Sequence, residues 1–131
     1  MKSFQVVDFN APLKEVDQPT PQPSGTQVLI KVKAAGVCHS DLHTARNDWG
    51  GTTYPVVPGH EIVGRVSAVG AHVSGHKVGD LVGVGCMVDS CRECEACKAD
   101  MEQFCEKGMT GTYNSPDPHT GGHTLGGYSK A

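Results

Sequence analysis

Four cysteines fall within fifteen residues as Cys91-x2-Cys94-x2-Cys97-x7-Cys105. Thiolates are soft ligands, and four on one short loop can wrap a tetrahedral zinc ion with every coordination position filled. A closed shell of this kind is structural, and it can contribute on the order of 10 kcal/mol to folding. The same C-x2-C-x2-C opening begins the bacterial iron–sulfur run, where the fourth cysteine follows after three residues and precedes a proline. Here seven residues intervene and Glu106 follows. The spacing points to structural zinc on Cys91, Cys94, Cys97 and Cys105, ahead of an iron–sulfur cluster or of unliganded or disulfide-bonded cysteines.

A second group is split between two stretches, Cys38-His39-Ser40-Asp41-Leu42-His43 and Gly59-His60-Glu61. A cysteine and a histidine at the ends of two strands could share another ion. Spacing alone does not require it, because Cys38 and His60 read more readily as a buried small thiol and a satisfied histidine. Ser40, Asp41 and His43 by themselves read as a capped surface turn. Trp49, the single tryptophan, suits either a core anchor or a pocket wall. His72, His76, His119 and His123 sit among glycines and polar residues and read as solvent-facing.

These groups must be held by strands. Residues 1–10 alternate around Phe4, Val6 and Phe9 and predict a first strand, followed by a non-helical connection carrying Pro12, Pro19, Pro21 and Pro23. Val28, Ile30, Val32 and Ala34 fall on one face of a second strand, with Lys31 and Lys33 on the other. Further strands are predicted over 62–70, whose glycines suggest bends or bulges, and over 78–84. Between Cys86 and Cys105 the chain is too polar for a core of its own, so the loop 86–108 needs a metal to stay ordered. The chain has 131 residues, 37% apolar and only 5% aromatic, with 17 glycines. That composition predicts one mainly β domain over 1–131.

The net charge is −3, with both signs interleaved, which argues against nucleic acid as a partner. No run approaches the ~20 apolar residues of a membrane span. No secretion signal is read at the N-terminus, so a cytoplasmic location is expected. No G-x-G-x-x-G dinucleotide fingerprint occurs; Val88 stands where the third glycine after Gly83 and Gly85 belongs.

Four stretches carry a resemblance: Val37-Cys38-His39-Ser40-Asp41-Leu42-His43, Asn47-Asp48-Trp49-Gly50, the run from Tyr54 through Pro58-Gly59-His60-Glu61 to Gly64, and Gly126-Gly127-Tyr128. With the four-cysteine loop, they resemble the NADP-dependent cinnamyl alcohol dehydrogenase branch of the zinc-containing medium-chain alcohol dehydrogenases. The resemblance covers essentially the whole chain as an N-terminal catalytic-domain segment. It implies a GroES-like, partly open β-barrel with a structural-zinc loop. It also implies Cys38 and His60 as catalytic zinc ligands, with Glu61 coordinating transiently, and Asp41 orienting His60.

By the same resemblance, Ser40 takes the alcohol proton and passes it by way of the cofactor ribose to His43. His39 faces the cofactor phosphates, and Trp49 lines the substrate pocket. The activity implied is interconversion of primary alcohols and aldehydes with NADP(H), in an enzyme that is usually a homo-oligomer. Two departures are visible. The family takes another cysteine ligand from beyond the zinc loop, whereas no cysteine follows Cys105 here, and the Rossmann domain that carries the cofactor is not encoded in this stretch. Family members with aromatic substrates tend to carry a bulky aromatic residue near Gly111. The 131 residues alone are therefore expected to be inactive. The alternative is a free-standing structural zinc-binding β-domain without catalysis.

Overall fold

The computed structural model describes residues 1–130. Its centre is a three-stranded antiparallel sheet of β3 (Val28–Ala35), β4 (Ile62–Val69) and β5 (Leu81–Val84). All three are rich in valine and isoleucine, whose branched side chains suit a pleated, half-buried surface. β4 alternates cleanly, burying Ile62, Gly64 and Val66 while Val63, Arg65 and Ser67 face out.

The β3–β4 register slips twice, with Ser67 as the extra residue on β4 and Lys33 as the extra residue on β3. A one-residue slip moves every later side chain to the other face. Ala34, expected inside with Val28, Ile30 and Val32, is therefore exposed, and Ala35 takes the half-buried position. The glycine of this region does a different job from the bulge expected of it. Gly64 stays in register opposite Val32, and a Cβ there would run into the Ile30 side chain and sit 2.7 Å from the Lys31 carbonyl.

A hairpin of β1 (Lys2–Val6) and β2 (Leu13–Asp17) packs alongside, so the proline-rich connection contains a strand between Pro12 and Pro19. The free edge of β1 bridges to Ser129 and Val56, and the two bridged residues are the buried ones of the strand. Ser3 and Val6 are inside, while Phe4 and Phe9, expected as the apolar markers, are exposed. The strand expected from Val78 begins only at Leu81. A turn precedes it, in which the Lys77 N–H donates to the Asp80 carboxylate at 2.9 Å and Gly79 takes a φ of +98°.

The core is small: Val6, Val56, Val57, Ile62 and Val66. It lies directly under the 54–60 loop, so the chain entering His60 is pinned by Val56 and Val57. The four-cysteine loop is framed by a short antiparallel pair, β6 (Met87–Asp89) and β7 (Thr110–Gly111), and contains α2 (Glu95–Lys98) and a 3-10 turn (Glu102–Phe104). Cys94 and Cys97 are the buried apolar side chains of this segment, as expected for a loop too polar to make a core. Among the described residues, no helix is long and apolar enough to cross a membrane.

Candidate metal centres

The sulfur atoms of Cys91, Cys94, Cys97 and Cys105 all lie within 4.8 Å of one another. Main-chain N–H groups point at them: Cys91 N–H at Cys105 Sγ (3.4 Å), Cys94 N–H at Cys91 Sγ (3.3 Å) and Glu106 N–H at Cys94 Sγ (3.4 Å). The Cys97 and Glu106 N–H groups hold the Cys94 thiol down at about 6, and Cys105 is lowered chiefly by the Cys91 N–H. Ser90 favours the Cys97 thiolate, but burial and the neighbouring Cys94 outweigh it and push that thiol up to about 11. Two thiols already biased toward the thiolate, and a buried third that needs a cation, suit a tetrahedral metal ion.

The second cluster is assembled from distant pieces. Cys38, just ahead of α1 (His39–Ala45), meets His60 and Glu61, which immediately precede β4, and their ligand atoms also lie within 4.8 Å of one another. Helix α1 replaces the surface turn that the polar 38–46 stretch suggested. Asp41, in its first turn, is only 4% exposed. Its carboxylate accepts the Cys38 N–H at 2.9 Å and the Gly59 N–H at 2.9 Å, so one buried anion ties both ligand-bearing segments together. Its Oδ1 stands 3.7 Å from His60 Nδ1, longer than a hydrogen bond.

Beside this cluster is a cavity of about 260 Å³ bounded by Ser40, Thr44, His60, Cys86 and the 111–114 segment. The Ser40 hydroxyl oxygen is buried without a hydrogen-bond partner. A buried hydroxyl left unpaired costs free energy, and its place at this cavity suits a polar ligand. Tyr113 stacks on His60, centroids 5.9 Å apart, and its phenol is pushed up chiefly by burial. Of the three donor residues His60 lines this opening, together with the unpaired Ser40 hydroxyl, an arrangement that fits a polar ligand reaching a metal ion held there.

On the outer face of α1, His39 and His43 stack at 4.8 Å, and Trp49 lies 4.8 Å beyond His43. Trp49 is 66% exposed, so it is no core anchor, and it stands outside the cavity lining. His43 Nδ1 pairs with Asp48 Oδ2 at 2.8 Å. His72, His76, His119 and His123 are exposed, although His119 Nε2 reaches Asp89 Oδ2 at 3.0 Å. Asp48, Tyr113 and Tyr128 were not singled out from sequence. Asp48 and Tyr128 lie inside motifs that carried the resemblance, but no spacing rule names their partners.

The family profile described as "Alcohol dehydrogenase GroES-like domain" matches residues 24–131. The chain belongs to this family. As a member of the alcohol dehydrogenase GroES-like domain family, it is 57% identical over 130 residues to the aldehyde reductase YahK of Escherichia coli strain K12, a match covering 99% of this chain and 37% of that protein. Its fold superposes on a cinnamyl alcohol dehydrogenase from Sorghum bicolor with a TM-score of 0.91 and 42% identity, covering 98% of this chain and 36% of that one. It superposes on the Helicobacter pylori CAD complexed with NADP(H) with a TM-score of 0.92 and 41% identity, covering 98% and 37%. The chain thus spans little more than a third of the relatives it matches. The mainly β, GroES-like fold and the zinc-type medium-chain alcohol dehydrogenase family stand as the resemblance implied.

Proposed function

We propose that this chain, 1–131, is the GroES-like catalytic domain of a zinc-dependent oxidoreductase that interconverts primary alcohols and aldehydes with NADP(H), and that 86–108 is its structural-zinc loop. The observation that carries the reading is the convergence of Cys38, His60 and Glu61 donor atoms within 4.8 Å beside a cavity that the unpaired Ser40 hydroxyl borders. The relatives support the chemistry: one is named as an aldehyde reductase and another is complexed with NADP(H).

In this reading Cys38 and His60 hold the catalytic zinc, with Glu61 a movable third donor, and Cys91, Cys94, Cys97 and Cys105 hold the structural one. When bound, the catalytic zinc supplies a Lewis acid that eases loss of the alcohol proton. Ser40 Oγ, the buried hydroxyl at the cavity, would take that proton while handing its own on toward His43, so that it stays a neutral hydroxyl. His43, half-exposed and held through Nδ1 by Asp48, suits proton release to water, since an imidazole exchanges protons readily near neutrality. Asp41 fixes the approach of the Cys38 and His60 arms, leaving the His60 ring's far nitrogen for the metal. His39, on the same outer face as His43, faces the cofactor phosphates. Trp49, read from the resemblance as a wall of the substrate pocket, packs instead on His43 outside the cavity and is given no substrate role.

The test is metal stoichiometry joined to turnover. The enzyme carrying this domain should bind two zinc ions per chain and reduce varied aldehydes with NADPH, while the 131 residues alone should give no turnover. The four-cysteine cluster by itself favours the second reading, a structural zinc-binding β-domain. One tight zinc per chain and no turnover from any longer form would establish that reading instead.

A further inference from the structure

We propose that Tyr128 is a positioning residue for the Cys38–His60 metal centre: its phenol O–H, donated to Asp41 Oδ2 at 3.0 Å from 87 residues away, holds the carboxylate on which both ligand arms hang. The inference rests on the reading above that these arms bind a metal. Asp41 is the buried anion at the junction. A buried carboxylate must be surrounded by donors or it becomes costly. Asp41 accepts from the Cys38 N–H and Gly59 N–H at 2.9 Å each and from the Tyr128 hydroxyl, with the Tyr113 phenol also facing it. The first two belong to the ligand-bearing segments themselves, one on a ligand and one on the residue before His60. Tyr128 is the donor that arrives from outside them.

The chain delivers Tyr128 with little freedom. Gly126 N–H donates to the Val57 carbonyl at 2.8 Å, Gly127 N–H to Gly59 at 2.8 Å and Tyr128 N–H to Pro58 at 3.0 Å, while Phe4 N–H binds the Tyr128 carbonyl at 2.7 Å. The ring then lies on Gly59, whose φ is +102° and where an added Cβ would come 2.7 Å from Tyr128 Cδ1. The Gly126-Gly127-Tyr128 motif is therefore a clasp along the loop that presents His60, and the hydroxyl at its end restrains Asp41. With the hydroxyl gone, Asp41 Oδ2 loses one of its donors and the carboxylate is held less firmly, which loosens the Cys38 and His60 approach together. Partners that bond a metal ligand directly are worth about 10- to 100-fold in metal affinity, and Tyr128, acting through Asp41, belongs at the low end of that range.

Tyr128→Phe keeps the ring on Gly59 and removes only the donor. The probe is Co²⁺ titrated into protein that retains zinc on the four-cysteine loop, followed by visible absorption. The expected result is roughly 10-fold weaker Co²⁺ binding with shifted ligand-field and thiolate charge-transfer bands, and unchanged zinc on the loop. In an Asp41→Asn background the same change should add nothing further, because the hydroxyl acts through Asp41. Equal affinity and equal bands in Tyr128→Phe, or fully additive losses with Asp41→Asn, overturn the proposal. A second measurement needs no variant: the Tyr128 hydroxyl proton should appear as a slowly exchanging NMR resonance that moves when Zn²⁺, which is diamagnetic, enters the Cys38–His60 site. A resonance that does not move overturns the coupling. If the unaltered protein takes up no second metal, the underlying site reading fails first, and with it the role of Tyr128.

Discussion

The two candidate metal centres are built in opposite ways. The loop of Cys91, Cys94, Cys97 and Cys105 carries all its ligands within fifteen residues, offers one kind of donor, and points main-chain N–H groups at its sulfurs. The Cys38–His60–Glu61 site mixes sulfur, nitrogen and oxygen and draws its ligands from a helix start and a strand start. It leans on Asp41 and, through it, on Tyr128. A closed, uniform shell suits a cation that only holds a fold together, since no position remains for substrate. A mixed, partly exposed set beside a cavity leaves room for one. The first centre replaces a missing hydrophobic core; the second depends on a core that already exists beneath the 54–60 loop.

The sharpest way to break this contrast is to remove one ligand from the closed site. Cys97→Ser should abolish zinc retention at the loop and cost on the order of several kcal/mol of local stability. Metal analysis and limited proteolysis across 86–108 should show the loop cut rapidly while the β3–β4–β5 sheet stays protected. Equal protease resistance with and without zinc would show that the loop does not need its ion.

A smaller effect tests the open site. In the enzyme carrying this domain, Ser40→Ala should lower kcat about 100-fold with both zinc ions still bound. An unchanged kcat would take the proton-transfer role away from Ser40 and leave the cavity as a binding feature only.

The smallest effect lies away from both centres. Asp117 accepts from the Thr120 hydroxyl at 2.7 Å and the His119 N–H at 2.8 Å. Burial raises its carboxyl, but these donors outweigh burial and set it below the usual range. A lowered folded-state value means that its stabilisation is fully present above the unfolded carboxyl value, about 3.9. That stabilisation is lost as pH falls through the lower folded value. Asp117→Asn should cost about 0.5–1 kcal/mol at neutral pH, and urea midpoints measured from pH 5 downward should fall less steeply for the variant than for the parent.

Legibility followed the same divide. The four-cysteine loop could be read from spacing, because cysteines with two, two and seven residues between them can all reach one ion. β4 could be read from its alternation. β3 was legible only as far as Val32, since the extra residue at Lys33 is a property of pairing with β4 and leaves no mark on the apolar pattern. Phe4 and Phe9 misled for a different reason. β1 ends at Val6, so Phe9 lies beyond it. The residues of β1 that are buried are Ser3 and Val6, the two that bridge to Ser129 and Val56, while Phe4 between them stays exposed. Cys38 and His60 gained meaning only from resemblance, and nothing local linked either one to Tyr128.

What the sequence determined by itself was chemistry of short reach: the thiolate cluster, the β-strand composition, and motifs shared with a family of zinc-type alcohol dehydrogenases. The tertiary structure alone decided which distant groups share a site. It brought a helix N-terminus, a strand start and a carboxy-terminal clasp to one buried carboxylate. The physical reason is that Asp41 must satisfy its charge with donors wherever the folded chain supplies them. Those donors, at Gly59 and Tyr128, are neighbours only after the core beneath them has formed.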